Sequence, residues 1–374
     1  MRKSKMIVYF IPFTNDPDID TISTRIPLLY AALKEYAEVV KAPPSVNSKN
    51  FIINRLLLLV KTAKSIFQIP KLKPRMKTLI IIGSDQPSGF VAAILGEFMK
   101  HLWRSRTIFV VYDSHGSRYK LANDLNPPFI YKIISVFEDA FSIRNSDKVI
   151  VPTYADMAIY HHYVCKKDKF MLLPSFVRIN NVIFNEWSKR ELDFAFHANF
   201  NYPPNIDAIK IISIFLATKN NLKFVIFGVN SENACKHLPP EIFKQNNVEC
   251  LGYITNPYQI LGNTKIYLAP IFKGTGIITK VLEAMVAGAI PITTKFVSLG
   301  IPELRRWPEL IAENPNDWIV KVENHLTGKY KLNYEDISRK LAEIVKHKYS
   351  YEKNKLILEN IYKKVKTDVV MEKN

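Results

Sequence analysis

The chain has 374 residues, of which 48% are hydrophobic and 23% are charged. This length predicts about two domains, and the abundance of apolar residues excludes intrinsic disorder as the main state. Lysines and arginines (52) exceed aspartates and glutamates (34) by 18. An excess of this size predicts an anionic partner, which is a nucleic acid, a membrane surface or a phosphorylated substrate.

The cysteines and the first apolar run argue against a secreted or membrane-spanning protein. Cys165, Cys235 and Cys250 lie far apart without a CxxC pair, so we expect neither a disulfide scaffold nor a structural zinc site. Residues 6–13 are too short for a signal peptide, and no apolar run approaches the roughly 20 residues of a membrane span. We therefore expect a cytoplasmic protein, soluble or peripheral at the inner face of the cell membrane.

Short apolar runs alternate with helical segments along most of the chain. The strands predicted in the first half are residues 7–11, 78–82, 107–112, 148–151 and 170–173. Those predicted in the second half are residues 192–196, 223–227, 248–251, 265–269 and 290–293. Segments with a 3.6-residue period lie between them, for example 27–36, 91–102, 128–143 and 205–216. Strands that are apolar on both faces and alternate with helices predict parallel sheets, so the fold class is α/β with two doubly wound, Rossmann-like halves.

The periodicity is lost between residues 173 and 191, where a polar link precedes the next strand. We therefore expect an N-terminal domain over residues 1–175 and a C-terminal domain over residues 176–348. A lysine-rich helical tail follows.

The loop after the first strand, residues 12–25, is acidic at its start and ends with the helix N-cap candidates Ser23 and Thr24. Its overlapping D-x-D triplets are formed by Asp16, Asp18 and Asp20. These aspartates either bind a metal ion or belong to a solvated acidic loop.

Residues 39–84 contain no acidic residue and nine basic ones, which are Lys41, Lys49, Arg55, Lys61, Lys64, Lys71, Lys73, Arg75 and Lys77. Within this stretch, residues 51–69 have the pattern of an amphipathic helix with a cationic polar face. Such a helix suits the surface of an anionic bilayer, with Leu56, Leu59, Ile66 and Phe67 on its apolar side. The alternative is an ordinary domain helix with solvated lysines. We do not expect nucleic-acid binding, because no nucleic-acid-binding motif is present.

Residues 111–118 (VYDSHGSR) end a predicted strand at the carboxyl edge, where open α/β sheets bind ligands. Asp113 and His115 can both point into a cleft there, where a neutral imidazole can form hydrogen bonds or move a proton. The alternative is that Asp113 caps the following turn while His115 is merely solvated.

The most informative stretch is residues 270–288 (PIFKGTGIITKVLEAMVAG), which follows a strand and opens a helix near Ile277. Gly274 and Gly276 flank Thr275 at the turn, where backbone can approach a ligand closely. The N–H groups at the helix start suit a phosphate, and Lys280 lies one turn inside the helix. Glu283 shares the face of Lys280 and can accept hydrogen bonds from sugar hydroxyls. The alternative is a glycine turn with a surface ion pair between these two side chains.

The signature Gly274-Thr275-Gly276, followed by Lys280, Glu283 and the run VLEAM…G around them, resembles the donor-binding motif of family-four-type (group 1) glycosyltransferases with the GT-B fold. Other segments resemble that family in the same order. They are residues 196–205 (FHANFNYPPN), 224–228 (FVIFG), 251–254 (LGYI), 267–270 (YLAP) and the helix over 349–362.

This resemblance implies two Rossmann-like domains that face a cleft, with a C-terminal helix (about 349–374) that crosses back to the N-terminal domain. It implies that a UDP- or GDP-linked sugar binds the C-terminal domain and that configuration is retained. His115 and Asp113 would then lie beside the transferred sugar, and Lys280 would stabilise the leaving diphosphate. The donor-binding residues that it implies are Gly274, Thr275, Gly276, Glu283, Gly252, Tyr253, Ile254, Asn199, Thr24 and Arg25.

The chain departs from the family pattern at three positions. Lys273 stands where many members carry a first glutamate, Ala198 replaces a common glycine, and Ile278 replaces an arginine found in a subgroup. The metal-binding D-x-D of the other glycosyltransferase fold lies far into the chain, so we interpret the aspartates of the first loop as solvated. We therefore predict no essential metal and no cofactor.

The leading hypothesis is a metal-independent glycosyltransferase that acts on a lipid-linked or cell-surface glycan at the membrane face. Residues 41–77 would contact the anionic membrane. A nucleotide-sugar epimerase with a related double-Rossmann fold is the second hypothesis. A non-enzymatic basic relative that binds membranes or nucleic acid is the third.

Overall fold

A computed structural model describes residues 6–12, 25–43, 51–164 and 167–371. The chain divides into two compact units. Unit 1 comprises Met1–Ser175 and Asn354–Asn374, and unit 2 comprises Phe176–Lys353.

Unit 1 is built on a six-stranded parallel sheet. Its strands are β1 (Met6–Ile11), β2 (Val39–Lys41), β3 (Thr78–Ser84), β4 (Thr107–Asp113), β5 (Lys148–Val151) and β6 (Phe170–Leu172). Their order in the sheet is β2-β1-β3-β4-β5-β6, and every pairing is parallel. Every residue of β3 and β5 is buried, as expected for a sheet covered on both faces.

The helices of unit 1 cover this sheet. They are α1 (Arg25–Tyr36), α2 (Phe51–Ile66), α3 (Ile69–Leu72), α4 (Ser88–Leu102), α5 (Arg118–Leu125), α6 (Phe129–Asn145) and α7 (Tyr154–Tyr160). We expected the apolar side of α2 to face a bilayer, and this expectation is wrong for three of the four residues named. Ile66 is a core residue, and Leu59 and Phe67 pack against the core. The helix turns this side to the sheet because that is where it buries most apolar area, so only Leu56 of the four is exposed.

Unit 2 repeats the architecture with β7 (Leu192–His197), β8 (Lys223–Phe227), β9 (Asn247–Leu251), β10 (Thr264–Leu268), β11 (Ile290–Thr294) and β12 (Ile311–Ala312). The strand order is β12-β11-β10-β7-β8-β9, again parallel. Its helices are α8 (Pro203–Leu216), α9 (Ser231–Cys235), α10 (Pro240–Gln245), α11 (Tyr258–Leu261), α12 (Thr279–Val286), α13 (Lys295–Gly300), α14 (Pro315–Leu326) and α15 (Tyr334–Ile344). The predicted α/β class with two doubly wound sheets is confirmed.

The predicted return of the C-terminal helix to the N-terminal domain is also confirmed. After a π-helical turn, Val345–Tyr349, the chain forms α16 (Tyr351–Met371). From Asn354 onward this helix belongs to unit 1, where Asp368 forms an ion pair with Lys148 of β5 at 3.0 Å.

The strand order shows where each sheet can bind a ligand. In unit 1 the order reverses between β1 and β3, and in unit 2 it reverses between β7 and β10. Ligands of doubly wound sheets bind outside the carboxyl ends of the strands at such a switch point.

Two local expectations are wrong. Cys235 and Cys250 form a disulfide, with their Cα atoms 6.5 Å apart, because α9 packs against β9 and so brings these two cysteines together. Helix α12 begins at Thr279 rather than near Ile277, since Ile278 is still extended as the chain leaves the glycine turn.

No helix among the described residues is both long enough and apolar enough to cross a membrane. Within the same residues, no group of three or more His, Cys, Asp or Glu side chains is arranged to hold a metal ion. Asp16, Asp18 and Asp20 lie outside the described residues, as do Ser23 and Thr24.

Candidate active site

The glycine-rich loop of unit 2 joins β10 to α12 at the switch point of the sheet. Gly274 has φ +140° and Gly276 has φ +69°, and both values lie in the region that favours glycine. A Cβ on Gly274 would also lie only 3.2 Å from the ring of Phe296. The loop can therefore bring its backbone close to a ligand, just before the first N–H groups of α12.

Lys280 lies in the first turn of α12. Its Nζ donates a hydrogen bond to Oδ1 of Asn205 and lies 5.2 Å from the centre of the Phe196 ring. Burial lowers the pKa of Lys280 to about 7, although the negative charge of Glu283 acts in the opposite direction. In the part of the chain that the structure describes, no carboxylate lies within ion-pair distance of Nζ. The site thus holds a cation whose charge is poorly compensated.

Glu283 is buried and pairs with a histidine that the sequence reasoning missed. Its Oε2 lies 2.5 Å from Nε2 of His197, the last residue of β7. The imidazole stacks on Phe227, with ring centres 4.8 Å apart. The predicted alternative of a surface ion pair between Lys280 and Glu283 is therefore wrong, since each side chain has a different partner. The sequence did contain a signal for this residue, because His197 is a polar residue at the end of the apolar run FAFH.

Asn205 connects Lys280 to the loop after β7. While its Oδ1 accepts from Lys280, its Nδ2 donates to the backbone oxygen of Asn199 at 2.7 Å. The exposed side chain of Asn199 accepts from the backbone N–H of Asn201 at 3.0 Å. Hydrogen bonds therefore hold this loop against α12.

The segment from Gly252 to Ile254 directly follows β9, at the same edge of the sheet. The backbone oxygen of Gly252 accepts a hydrogen bond from Gly228, which follows β8. The side chain of Tyr253 is 72% exposed. An exposed aromatic ring at a ligand-binding edge offers a flat surface on which a nucleobase can stack.

In unit 1, Asp113 lies at the carboxyl end of β4 and is fully buried. It accepts hydrogen bonds from Arg25 Nη2 at 2.6 Å and from Ser84 Oγ at 2.6 Å. Burial alone would raise the pKa of this carboxyl, but the charge of Arg25 and the neighbouring His115 hold it well below its usual range. The alternative in which Asp113 caps the following turn is therefore wrong, since its partners are Arg25 and Ser84.

His115 is enclosed by polar groups and is one-quarter exposed. Its Nε2 lies 3.1 Å from Ser84 Oγ and 3.4 Å from Asp113 Oδ2, and its Nδ1 lies 3.7 Å from Asp85 Oδ2. Asp85 itself pairs with Arg118. These groups restrict the orientation of the ring, which remains partly exposed.

Arg25, the first residue of α1, is buried. Besides its bonds to Asp113, it donates from Nη1 to the backbone oxygen of Leu173 at 2.9 Å. Its guanidinium group is thus engaged with protein groups in this structure.

Residues 194–327 match the family model "Glycosyl transferases group 1". No curated protein sequence gives a significant match to the chain. The resemblance predicted from the motifs is therefore confirmed over residues 194–327, which lie in unit 2, and this match is the basis for regarding the chain as a glycosyltransferase.

Solved structures with low sequence identity share the fold over almost the whole chain. HepE of Anabaena, solved with UDP and glucose, is 12% identical, with a TM-score of 0.69 over 97% of this chain and 100% of that one. Sucrose-phosphate synthase of Thermosynechococcus elongatus is 13% identical, with a TM-score of 0.70 and coverage of 97% and 100%. The lipopolysaccharide outer core galactosyltransferase WaaB is 14% identical, with a TM-score of 0.61 and coverage of 96% and 99%. The predicted GT-B fold is thereby confirmed.

Proposed function

We propose that this glycosyltransferase of the group 1 type takes its sugar from a UDP-linked donor bound by unit 2 and transfers it to a glycan acceptor at unit 1. The observation that carries the proposal is the poorly compensated Lys280 beside the left-handed glycine loop, at the switch point of the second sheet. The uridine nucleotide in the HepE structure supports UDP over GDP.

The proposed donor site assigns each moiety to a different group. The backbone N–H groups at Gly274, Thr275 and Gly276, with the ammonium of Lys280, would bind the diphosphate. The carboxylate of Glu283, oriented by His197, would accept hydrogen bonds from the ribose hydroxyls. The segment Gly252, Tyr253 and Ile254 would hold the base, and Asn199 would border the diphosphate.

In the proposed mechanism, negative charge develops on the leaving diphosphate as the glycosidic bond breaks. Lys280 and the start of α12 would stabilise this charge without a metal ion. The partly exposed His115 would contact the transferred sugar, and Asp113 and Arg25 would hold the imidazole in place. The group 1 resemblance supports retention of configuration at the anomeric carbon.

We further propose that the acceptor is a lipid-linked or cell-surface glycan at the inner face of the membrane. The support is the cationic stretch of residues 41–77, in which Lys64, Lys71, Lys73, Arg75 and Lys77 are exposed. The same stretch would hold the enzyme at an anionic leaflet, where each nearby cation contributes on the order of 1 kcal/mol. Replacing Lys61, Lys64, Lys71 and Lys73 by glutamate should abolish binding to anionic vesicles and leave UDP binding unchanged.

The donor assignment is tested by calorimetric titration of UDP into the Glu283→Ala variant. We expect weaker UDP binding even without an attached sugar, because the ribose is the proposed partner. Glu323→Ala is the matched control, since Glu323 is a carboxylate of the same unit that pairs with Lys219 instead. Normal UDP binding together with lost selectivity between UDP-sugars would assign Glu283 to the sugar.

A further inference from the structure

Helices α2, α4 and α6 of unit 1 pack side by side. Helix α4 contacts both of the others. In addition, Arg55 of α2 donates through Nε and Nη2 to the two carboxylate oxygens of Glu138 in α6. Glu138 is buried, and this ion pair links α2 to α6.

The outer side of α6 is apolar. Phe129, Ile130, Ile133 and Phe137 form one stripe along the helix and are all exposed, Phe129 by 76% and Phe137 by 58%. The outer side of α2, which Arg55 links to α6, presents Leu56 and Val60, which are also exposed. We call these six residues the α2–α6 stripe. A patch of large apolar side chains of this kind marks an interaction surface on a folded protein.

The accessible charges of α2 and α6, the two helices that carry the α2–α6 stripe, have one sign. Residues 125–137 contain Lys132 and no acidic residue. The two carboxylates of α6 that follow are buried and hydrogen bonded, Glu138 to Arg55 and Asp139 to Tyr112. The exposed Lys64 lies near the end of α2. The exposed Lys71 lies in α3, next to Leu72, which is 70% exposed.

We infer that the α2–α6 stripe enters the interface of an anionic lipid bilayer, with α6 as the element that reaches the acyl chains. Apolar side chains flanked by cations match a leaflet whose headgroups are negative and whose interior is hydrocarbon. A second copy of this chain matches poorly, since a symmetric contact would bring the two sets of cations together. The inference rests on the proposed membrane-face function and adds an apolar contact that salt does not screen.

The test compares vesicle binding by wild type and by Phe129→Gln/Ile133→Gln. Both substitutions lie on the exposed side of α6 and keep good helix formers. The control is Ile214→Gln/Val320→Gln, which removes equally exposed apolar residues from α8 and α14 of unit 2. Vesicles of phosphatidylcholine with about 30 mol% phosphatidylglycerol supply the anionic interface, and pure phosphatidylcholine is the comparison. The experiment is repeated at about 0.5 M NaCl, where charge attraction is screened.

We expect wild type and control to sediment with the anionic vesicles and to retain measurable binding at high salt. The α6 variant should lose at least tenfold in partition coefficient at high salt, with its melting temperature unchanged. Equal binding of the α6 variant and wild type at high salt would overturn the inference. So would a wild-type dimer that the α6 variant converts to monomer without lipid, because the stripe would then be an interface between copies.

UDP titration of the same proteins separates this inference from the proposed function. If the α6 variant binds UDP normally but not vesicles, both stand. If wild type binds vesicles through α6 but does not bind UDP, the proposed function fails and the inference stands. If wild type binds UDP and ignores anionic vesicles at low salt, the inference fails together with the proposed membrane-face acceptor, and the donor assignment stands.

Discussion

Each unit carries a charged cluster near the switch point of a doubly wound parallel sheet, yet the two units balance the charge of that cluster differently. In unit 1, Asp113 is paired with Arg25, and Asp85 is paired with Arg118. Burial opposes ionisation of both carboxyls, but the neighbouring cations outweigh it and lower their pKa values. In unit 2, the nearest partner of Lys280 is a neutral amide, and burial lowers the pKa of the lysine instead.

This difference separates two uses of a buried charge. A carboxylate with its own guanidinium is stable without a ligand, so the unit 1 cluster fixes the shape around His115. Burying a charged lysine beside a neutral amide costs free energy, and an anion that binds next to the lysine offsets this cost. The unit 2 cluster is therefore suited to binding an anion, such as the proposed diphosphate.

The largest effect is expected from Arg25→Ala. This change leaves Asp113 buried without its cation and should lower the free energy of unfolding by about 3 kcal/mol or more at pH 7. Because the pKa of Asp113 is lower in the folded chain than in the unfolded one, the ion pair stabilises above about pH 4 and is lost as the pH falls below that value. Urea unfolding measures the loss. Lys340→Ala breaks the exposed pair with Asp336 and should cost less than about 1 kcal/mol. Equal effects of the two variants would contradict the assigned role of Arg25.

Lys280→Met should have the opposite effect, because it should weaken UDP binding and leave the free energy of unfolding nearly unchanged. It removes the cation that the diphosphate would bind, so UDP affinity should fall at least tenfold, or about 1.4 kcal/mol. The free energy of unfolding should change little, because the lost bond to Asn205 is offset by relief from burying a charge. Calorimetry and urea unfolding measure the two quantities, with Lys295→Met as control because Lys295 is exposed and pairs with Glu313. Unchanged UDP affinity would refute the diphosphate assignment.

Ten strands of the two sheets, including the edge strands β6 and β9, were predictable from sequence, but two very short edge strands were not. All ten predicted strands exist, since runs such as that of β3 are long, apolar and buried on both faces. The two strands that were missed, β2 and β12, have three and two residues and each pairs with one neighbour. Their strand conformation depends on β1 and β11 rather than on a pattern of their own.

The residues of the candidate site were more predictable than their partners. The glycine turn, Lys280 and Glu283 follow from local spacing on one helix. The pairing of Glu283 with His197, of Lys280 with Asn205 and of Asp113 with Arg25 joins residues between 75 and 88 positions apart. Such pairs depend on strand order, which periodicity does not encode, so Arg25 was predicted to bind a ligand while the structure has it bound to Asp113.

UDP affinity should depend on pH through Lys280. The pKa of this lysine is about 7 in the free chain, and a bound diphosphate would raise it, so UDP binding takes up a proton above neutrality. Affinity should therefore weaken by about eightfold between about pH 7.5 and 8.5. Calorimetry in buffers of different ionisation enthalpy measures both the affinity and the proton uptake. In Lys280→Met the same pH interval should change affinity little, and a parallel decline in that variant would assign the effect to another group.

The smallest effect is expected from removing divalent cations. In the proposed site the cation that faces the diphosphate is Lys280, assisted by the first N–H groups of α12 after the left-handed glycines. A metal ion bound to the same phosphates would compete with the lysine for their oxygens. UDP affinity should thus agree within about twofold in EDTA and in millimolar MgCl₂ or MnCl₂. Lys280→Met sharpens the test, because without the lysine an added divalent cation should restore part of the lost affinity, whereas wild type should gain nothing. A wild-type protein that binds UDP only when Mg²⁺ or Mn²⁺ is present would show that the positive charge of unit 2 is insufficient by itself.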